Sequence, residues 1–152
     1  MSDFSMKITR VLAIGIVSAS LAACTTTGGY FSPVASMDAA QLDSFAADAV
    51  AGDMVAKLAE HVGPGTGTIA LKSDNSVFAA SLDKQLRGWG YAVDPAATGA
   101  GAIPLAYTVD TADGQVLVRL STPTVELART YSTSTGVAVP ASPVSVMRRA
   151  ES

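Results

Sequence analysis

An alternation of apolar with smaller or polar residues over 103–120 constrains the fold of this chain more than any other feature. Asp113-Gly114 interrupts the alternation, and this pair is typical of a two-residue hairpin turn. A four-residue loop would shift the register by two residues and keep the same parity, so either turn places both apolar sets on one face. The pattern therefore predicts a half-buried hairpin. With the two-residue turn, the opposed pairs are Val109–Val118 and Tyr107–Leu120.

A long amphipathic helix is predicted before the hairpin, from Ser36 to Val62. Ser36 is a capping residue, and the glycines and proline at 63–65 stop the helix. Gly52 costs ~1 kcal/mol relative to alanine in a helix interior, so the helix is expected to bend or break there. Its apolar rows, read at helical spacing, are Leu42, Phe45 and Ala49, and Val50, Met54, Leu58 and Val62.

A compact strand–helix–strand unit follows this helix. The pattern predicts a strand over 66–72, a helix that ends at Arg87, and a second strand over 89–93. Gly88 is expected to occupy the left-handed position that ends the helix. The two strands are expected to be parallel neighbours or to be separated by another strand.

Together these elements predict an α+β fold: two helices packed on one face of a small, mostly antiparallel sheet of four to five strands. A strand from Val125 to about Tyr131 extends the hairpin into a meander. The domain is expected over 37–132. A Pro- and Ser-containing tail over 133–152 either covers an edge of the sheet or extends to a neighbouring molecule. The expected core is Ile69, Phe78, Leu82, Leu86, Leu105, Tyr107, Val118 and Leu120.

The N-terminal 23 residues are typical of a secretory signal peptide. Lys7 and Arg10 give a basic start, and residues 11–23 carry no charge and end in small side chains. Thirteen apolar residues fall short of the ~20 that span a bilayer, and an entirely apolar core helix needs a larger protein around it. We therefore expect residues 1–23 to be removed and 24–36 to form a flexible tether.

The residues at the predicted cut make the signal more specific. Leu21-Ala22-Ala23-Cys24 resembles the bacterial lipobox, in which the cysteine receives lipid and the peptide is cut before it. The resemblance implies lipid attachment, including fatty acids such as palmitate, at Cys24. Thr25 follows where an Asp would resemble an inner-membrane retention signal. We therefore expect a lipoprotein on the periplasmic face of the outer membrane, bound to that membrane through the lipid on Cys24.

The charge of the mature chain disfavours nucleic acid as a partner. Removal of residues 1–23 leaves 8 of the 10 basic and 12 of the 13 acidic side chains, a net charge of −4. Phosphate binding needs a basic patch, so no direct binding of nucleic acid is expected. Cys24 is the only cysteine, so once it is acylated no disulfide can form and stability depends on the core.

The sequence offers no catalytic, cofactor or metal motif. The only histidine, His61, lies near a predicted helix C-terminus, where a partly exposed imidazole is ordinary. G-x-S-x-G, C-x-x-C and H-E-x-x-H are all absent, and no close carboxylate pair stands out. We therefore expect no cofactor, no metal and no enzymatic activity.

Four stretches together resemble a known family: AGDMVAKLAEHV (51–62), TIALK (68–72), ASLDKQLRGWGYAV (80–93) and VLVRLSTPTVELARTY (116–131). They are similar to the TrbH lipoproteins of Trb-type conjugal transfer systems. The resemblance implies a structural component of the type IV secretion apparatus that moves plasmid DNA, with other conjugal transfer core-complex proteins as partners. It carries over no catalytic residue and only Cys24 as a lipid site. The alternative is a free-standing envelope lipoprotein that binds a small ligand or assists envelope assembly.

Overall fold

The computed structural model describes residues 35–149 as two helices and one curled mixed sheet. The predicted α+β class is confirmed. In chain order the elements are β1 (Met37–Asp38), α1 (Ser44–Val62), β2 (Thr68–Leu71), α2 (Val77–Gly88), β3 (Ala92–Val93), β4 (Ala102–Ala112), β5 (Gln115–Ser121), β6 (Val125–Ser132), β7 (Val139–Pro140) and β8 (Ser145–Arg148).

The first helix begins later than the sequence predicts, because another residue caps it. Asp43 is the N-cap, and its Oδ1 accepts from the backbone N–H groups of Phe45 and Ala46 at 2.9 Å each. Ser36 instead accepts a hydrogen bond from the backbone N–H of Tyr107 at 3.0 Å. The start at Ser36 was therefore wrong, and the residues after it form β1.

One apolar row of α1 was assigned correctly and the other was not. Val50, Met54 and Leu58 are at most 1% exposed, whereas Phe45 is 66% exposed. The helix continues through Gly52 without a break, and Gly52 lies opposite the side chain of Gln85 on α2. A Cβ added at Gly52 would meet this side chain at 3.7 Å, an ordinary contact, so the packing leaves room for a larger residue. The expected break at Gly52 was wrong.

The second helix is capped as its sequence suggests but terminates differently. Ser76 is the N-cap, and its Oγ accepts from the backbone N–H of Ala79 at 3.1 Å. Gly88 is the last helical residue and does not adopt a positive φ. Gly90, with φ +90°, does so instead. The left-handed position is therefore two residues later than predicted.

The two helices run parallel to each other. Asp48 of α1 binds Lys84 of α2 at 3.0 Å, and Gly52, one turn further along α1, lies opposite the next residue of α2, Gln85. The parallel direction of the helices follows from the connections. α1 links β1 to β2, which both lie parallel to β4, and α2 links β2 to β3, which lie parallel to each other.

Within residues 35–149, neither helix has the length and apolar character needed to cross a membrane.

The sheet is larger and more mixed than predicted. Its main order is β3-β2-β4-β5-β6-β7. β1 and β2 pair in parallel with successive parts of one edge of β4, and β3 pairs in parallel with β2. The strands from β4 onward pair antiparallel. Of the two arrangements left open for the strand–helix–strand unit, parallel neighbours is confirmed by β2 and β3. The expectation of four to five mostly antiparallel strands was too small, since it lacked β1 and its parallel pairing with β4 and the two C-terminal strands.

The predicted hairpin is confirmed with its two-residue turn. Val109 pairs with Val118, and Tyr107 pairs with Leu120. Asp113 and Gly114 have φ of 52° and 75°, both positive, as the turn requires.

The predicted core is also confirmed. All eight side chains are at most 1% exposed: Ile69, Phe78, Leu82, Leu86, Leu105, Tyr107, Val118 and Leu120. They lie between the helices and the inward face of the sheet in one cluster.

Candidate functional site

Cys24, the site residue that the sequence predicts, lies outside the described residues. So do the predicted signal peptide and the tether up to residue 34. Ser36, near the start of the described residues, accepts a hydrogen bond from the backbone N–H of Tyr107, so the chain enters the fold beside the middle of β4. The predicted lipid therefore attaches upstream of this entry point.

An open cleft of about 410 Å³ lies close to that entry point, beside the N-terminal half of α2. It sits where β2 and β3 reach their carboxyl ends, the edge at which parallel sheets usually bind ligands. Its walls combine apolar Leu71, Val93 and Pro95 with polar Ser73, Asn75 and Asp83. Sequence reasoning did not identify it. The polar turn at 73–76 after a buried strand was the available signal.

A hydrogen-bonded cluster around Asp74 borders the cleft and joins three segments. The carboxylate accepts from the hydroxyl of Tyr107 on β4, from the backbone N–H of Asp38 on β1 at 2.7 Å, and from the backbone N–H of Ser76 at 3.0 Å. Ser76 Oγ lies 3.3 Å from the same Tyr107 hydroxyl. The ring of Phe78 packs edge-on against Tyr107 with centroids 5.0 Å apart.

The environment fixes the protonation of both main members of the cluster. Burial opposes ionisation of Asp74, but the hydrogen bonds from Ser76, Tyr107 and Asp38 outweigh it and lower the Asp74 pKa to about 2. Burial, together with the Asp74 carboxylate, raises the pKa of Tyr107 to about 12. At neutral pH Asp74 is therefore ionised and Tyr107 protonated, and neither group is poised to transfer a proton.

Asp38 shows the opposite shift on the same side of the cluster. Burial is the main cause that raises its pKa; backbone hydrogen bonds from Gln41, Leu42 and Ala40 lower it, and the nearby Asp74 charge raises it further. Its Oδ1 accepts from the backbone N–H of Gln41 at 2.8 Å. The chemistry of the cluster therefore fits a junction that holds β1 against β2 and α2.

A second cluster ties α1 to the last strands. Arg129 on β6 binds both carboxylate oxygens of Asp53 at 2.8 and 3.1 Å through Nη1, and it donates from Nε to the Ser142 carbonyl at 2.8 Å. Tyr131 donates to Asp53 at 2.5 Å, and burial and this carboxylate raise the pKa of its hydroxyl. This ion pair is well shielded, with side chains 17% and 27% exposed. It secures the chain beyond β7.

His61 takes part in neither cluster. It lies at the C-terminal end of α1, half-buried, with Nδ1 2.6 Å from Nη2 of Arg148. Because a guanidinium only donates hydrogen bonds, this nitrogen of His61 accepts. Within residues 35–149, no three His, Cys, Asp or Glu side chains are placed to hold a metal ion.

Comparison with known proteins decides the family. The family model described as "Conjugal transfer protein TrbH" matches residues 25–150. The chain belongs to the TrbH family of conjugal transfer proteins. A TrbH relative from Sinorhizobium fredii (strain NBRC 101917 / NGR234), named "Probable conjugal transfer protein TrbH", is 48% identical over 111 residues, which cover 68% of this chain and 75% of the relative.

The family match covers both helices and every strand of the described residues. The resemblance drawn from residues 51–131 is thereby confirmed. No solved structure matches the chain significantly.

Proposed function

We propose that this TrbH protein is a lipid-anchored structural component of a conjugative type IV secretion apparatus for plasmid transfer. The observation that carries the proposal is the family match over residues 25–150. The 48% identity to a relative named a probable conjugal transfer protein supports the same process.

The chemistry of the described residues supports a role by contact. Asp74 and Tyr107 are committed to each other, and so are Asp53, Arg129 and Tyr131. In the part of the chain that the structure describes, every buried side-chain nitrogen and oxygen has a hydrogen-bond partner. Reactive sites often hold such groups unpaired or with pKa values near neutrality. Here the groups are paired, and the pKa values of Asp74 and Tyr107 are about 2 and about 12.

The lipobox supports anchoring, and chain length then limits where the domain lies. Residues 25–34 separate Cys24 from the first described residue. Ten residues reach at most about 35 Å when fully extended. A lipid on Cys24 would therefore keep the domain close to the membrane surface. We place that surface on the periplasmic face of the outer membrane because Thr25 follows the cysteine.

The anchor is tested by labelling cells with a palmitate analogue. Wild-type protein should incorporate the label and fractionate with the outer membrane, whereas Cys24→Ser should incorporate none and persist as uncut precursor. Thr26→Ser keeps Cys24 and its neighbours in place and serves as the matched control. Label retained by Cys24→Ser would contradict lipid attachment at this cysteine.

The partners are tested by capture of tagged protein, in detergent, from cells that carry the intact transfer genes. We expect co-recovery of other core-complex proteins and no direct retention of DNA, given the net charge of −4 after residue 23. Recovery of no transfer protein, together with normal plasmid transfer after gene deletion, would favour the free-standing envelope lipoprotein.

A further inference from the structure

The end of the domain at which both helices begin differs in composition from the rest of the described chain. β4 and β6 end there, and α1 and α2 begin there. This helix-start end comprises four segments: 37–47, 74–80, 109–116 and 130–141. Five of the eight exposed large hydrophobic side chains of the described residues belong to it: Met37, Phe45, Val77, Val137 and Val139.

Strand pairing and one hydrogen-bonded cluster bring the four segments together. Val109 on β4 pairs with β1 on one side and with β5 on the other, shortly before the hairpin turn. Tyr131, near the end of β6, pairs with Val116 at the start of β5 and with Pro140 on β7. Asp74 holds the start of α2 against β1.

The apolar side chains of the helix starts project out of the domain. In an α-helix each Cα–Cβ bond tilts toward the N-terminus, so side chains of the first turn lean beyond the helix end. Phe45 and Val77 occupy the first turns of α1 and α2 and are 66% and 48% exposed. One turn further along α1, Asp48 and Lys84 neutralise each other. Exposed apolar side chains gathered at one end of a domain are typical of a contact surface.

The side-chain charge of the helix-start end is entirely negative. Its segments contain no lysine, arginine or histidine and five aspartates: Asp38, Asp43, Asp74, Asp110 and Asp113. Asp43 and Asp74 accept from N–H groups where the helices begin, and the helix dipoles offset part of their charge. Asp110 and Asp113 lie in the hairpin, away from the helix starts. The ion pairs within residues 35–149 are formed by carboxylates outside these segments.

We propose that the helix-start end binds a segment of another transfer protein that carries lysine or arginine beside apolar side chains. This inference rests on the transfer role proposed above and defines the chemistry of the partner. The apolar side chains of the segment cover Phe45 and Val139, and its cations face Asp110 and Asp113. Complementary charge of this kind gives an interface its specificity and its rate of association.

Charge and chain direction disfavour the other occupants. An anionic lipid surface or a nucleic acid would face five aspartates and no basic side chain. Two copies that met through this same end would oppose like charges. β1 runs toward the helix-start end, so the chain enters the fold from the opposite direction. A chain anchored through Cys24 therefore leaves this end open to a protein partner.

Site-directed photo-cross-linking of the full-length protein, in donor cells with the intact transfer genes, tests the surface. A photoreactive phenylalanine analogue replaces Phe45 or Val139, and in the control it replaces Trp89, which is 42% exposed at the far end of α2. We expect Phe45 and Val139 to link to one transfer protein, at a segment that contains lysine or arginine, and Trp89 not to link to it. Adducts with lipid, with a second copy or with an acidic segment, or no adduct, would overturn the proposal.

Neutralising the two hairpin aspartates tests the charge of the surface. Asp110→Asn combined with Asp113→Asn keeps an acceptor for the backbone N–H of Thr111 and a residue suited to positive φ in the turn. The double variant should lower the adduct yield from Val139 and the frequency of plasmid transfer several-fold, with an unchanged urea midpoint. Asp94→Asn, outside this end, also keeps its bond to a nearby backbone N–H and should change neither quantity. An adduct yield that the double variant leaves unchanged would contradict the proposal.

Failure of this inference and failure of the proposed function give different results. If the protein has no part in transfer, deletion of its gene leaves plasmid transfer unchanged. If only the surface is wrong, deletion lowers transfer sharply, whereas the double variant at Asp110 and Asp113 transfers plasmid as the wild type does.

Discussion

Asp74 shows how a single carboxylate can organise three distant segments of this chain. Its carboxylate accepts from the cap residue of α2, Ser76, and from Asp38 on β1 and Tyr107 on β4, which lie 36 and 33 residues away in the sequence. The sequence marks residues 73–76 as a capped turn, but hydrogen bonds across such separations depend on tertiary packing. This is why local patterns identified the turn and missed the cluster.

Asp74 should make the stability of the domain sensitive to acid. Its pKa is about 2 in the folded chain against 3.8 for an ordinary aspartate, so its contribution is complete above pH ~4 and is lost as the pH falls toward 2. Asp74→Asn should lower the urea midpoint at pH 6 and lose less stability than the wild type between pH 4 and 2. Asp94→Asn, on an exposed turn, is the control. Equal acid sensitivity in wild type and Asp74→Asn would contradict this role.

Among the elements, those set by local signals were predicted best. Asp113-Gly114 fixed the hairpin register because its turn type requires positive φ at both residues. The predicted start of α1 was wrong because Ser36 and Asp43 are both good N-cap residues, and tertiary contacts decide which of them caps the helix. The assignment of Phe45 to a buried row was wrong because helical spacing alone does not reveal which row faces solvent at the first turn.

The parallel half of the sheet was predicted only in part. The strand predicted over 89–93 contains β3, and its parallel pairing with β2 was one of two alternatives, whereas β1 was not predicted. β1 has only two residues, too short for any alternation to show, and its pairing with β4 closes a loop that contains a whole helix. Such a pairing depends on the packing of that helix and leaves no short-range signature.

Two glycines should respond in opposite ways to alanine. At Gly52 in α1 an added Cβ meets Gln85 at an ordinary 3.7 Å, so Gly52→Ala should stabilise the domain by up to about 1 kcal/mol. At Gly67 the φ is +76° and an added Cβ lies 3.0 Å from the Gly101 carbonyl oxygen, so Gly67→Ala should destabilise it by more than about 1 kcal/mol. Thermal unfolding of both variants beside the wild type measures the difference. A destabilised Gly52→Ala would show that α1 and α2 approach more closely at this point.

At the scale of the whole molecule, the C-terminal segment completes the sheet. β7 and β8 both pair with β6, and Arg129 and His61 hold the segment at Ser142 and Arg148. Of the two alternatives that the prolines left open, the structure shows the tail covering the edge of β6. Deletion of residues 137–152 would therefore uncover the edge of β6.

The central claim joins the predicted anchor to the transfer role of the TrbH family, and plasmid transfer frequency tests both together. In donor cells that lack the gene, we expect transfer to fall sharply and wild-type protein to restore it. Cys24→Ser, made at the same level, should fail to restore transfer, whereas Thr26→Ser should restore it in full. Full transfer with Cys24→Ser, or undiminished transfer without the gene, would contradict a lipid-anchored component of the transfer apparatus.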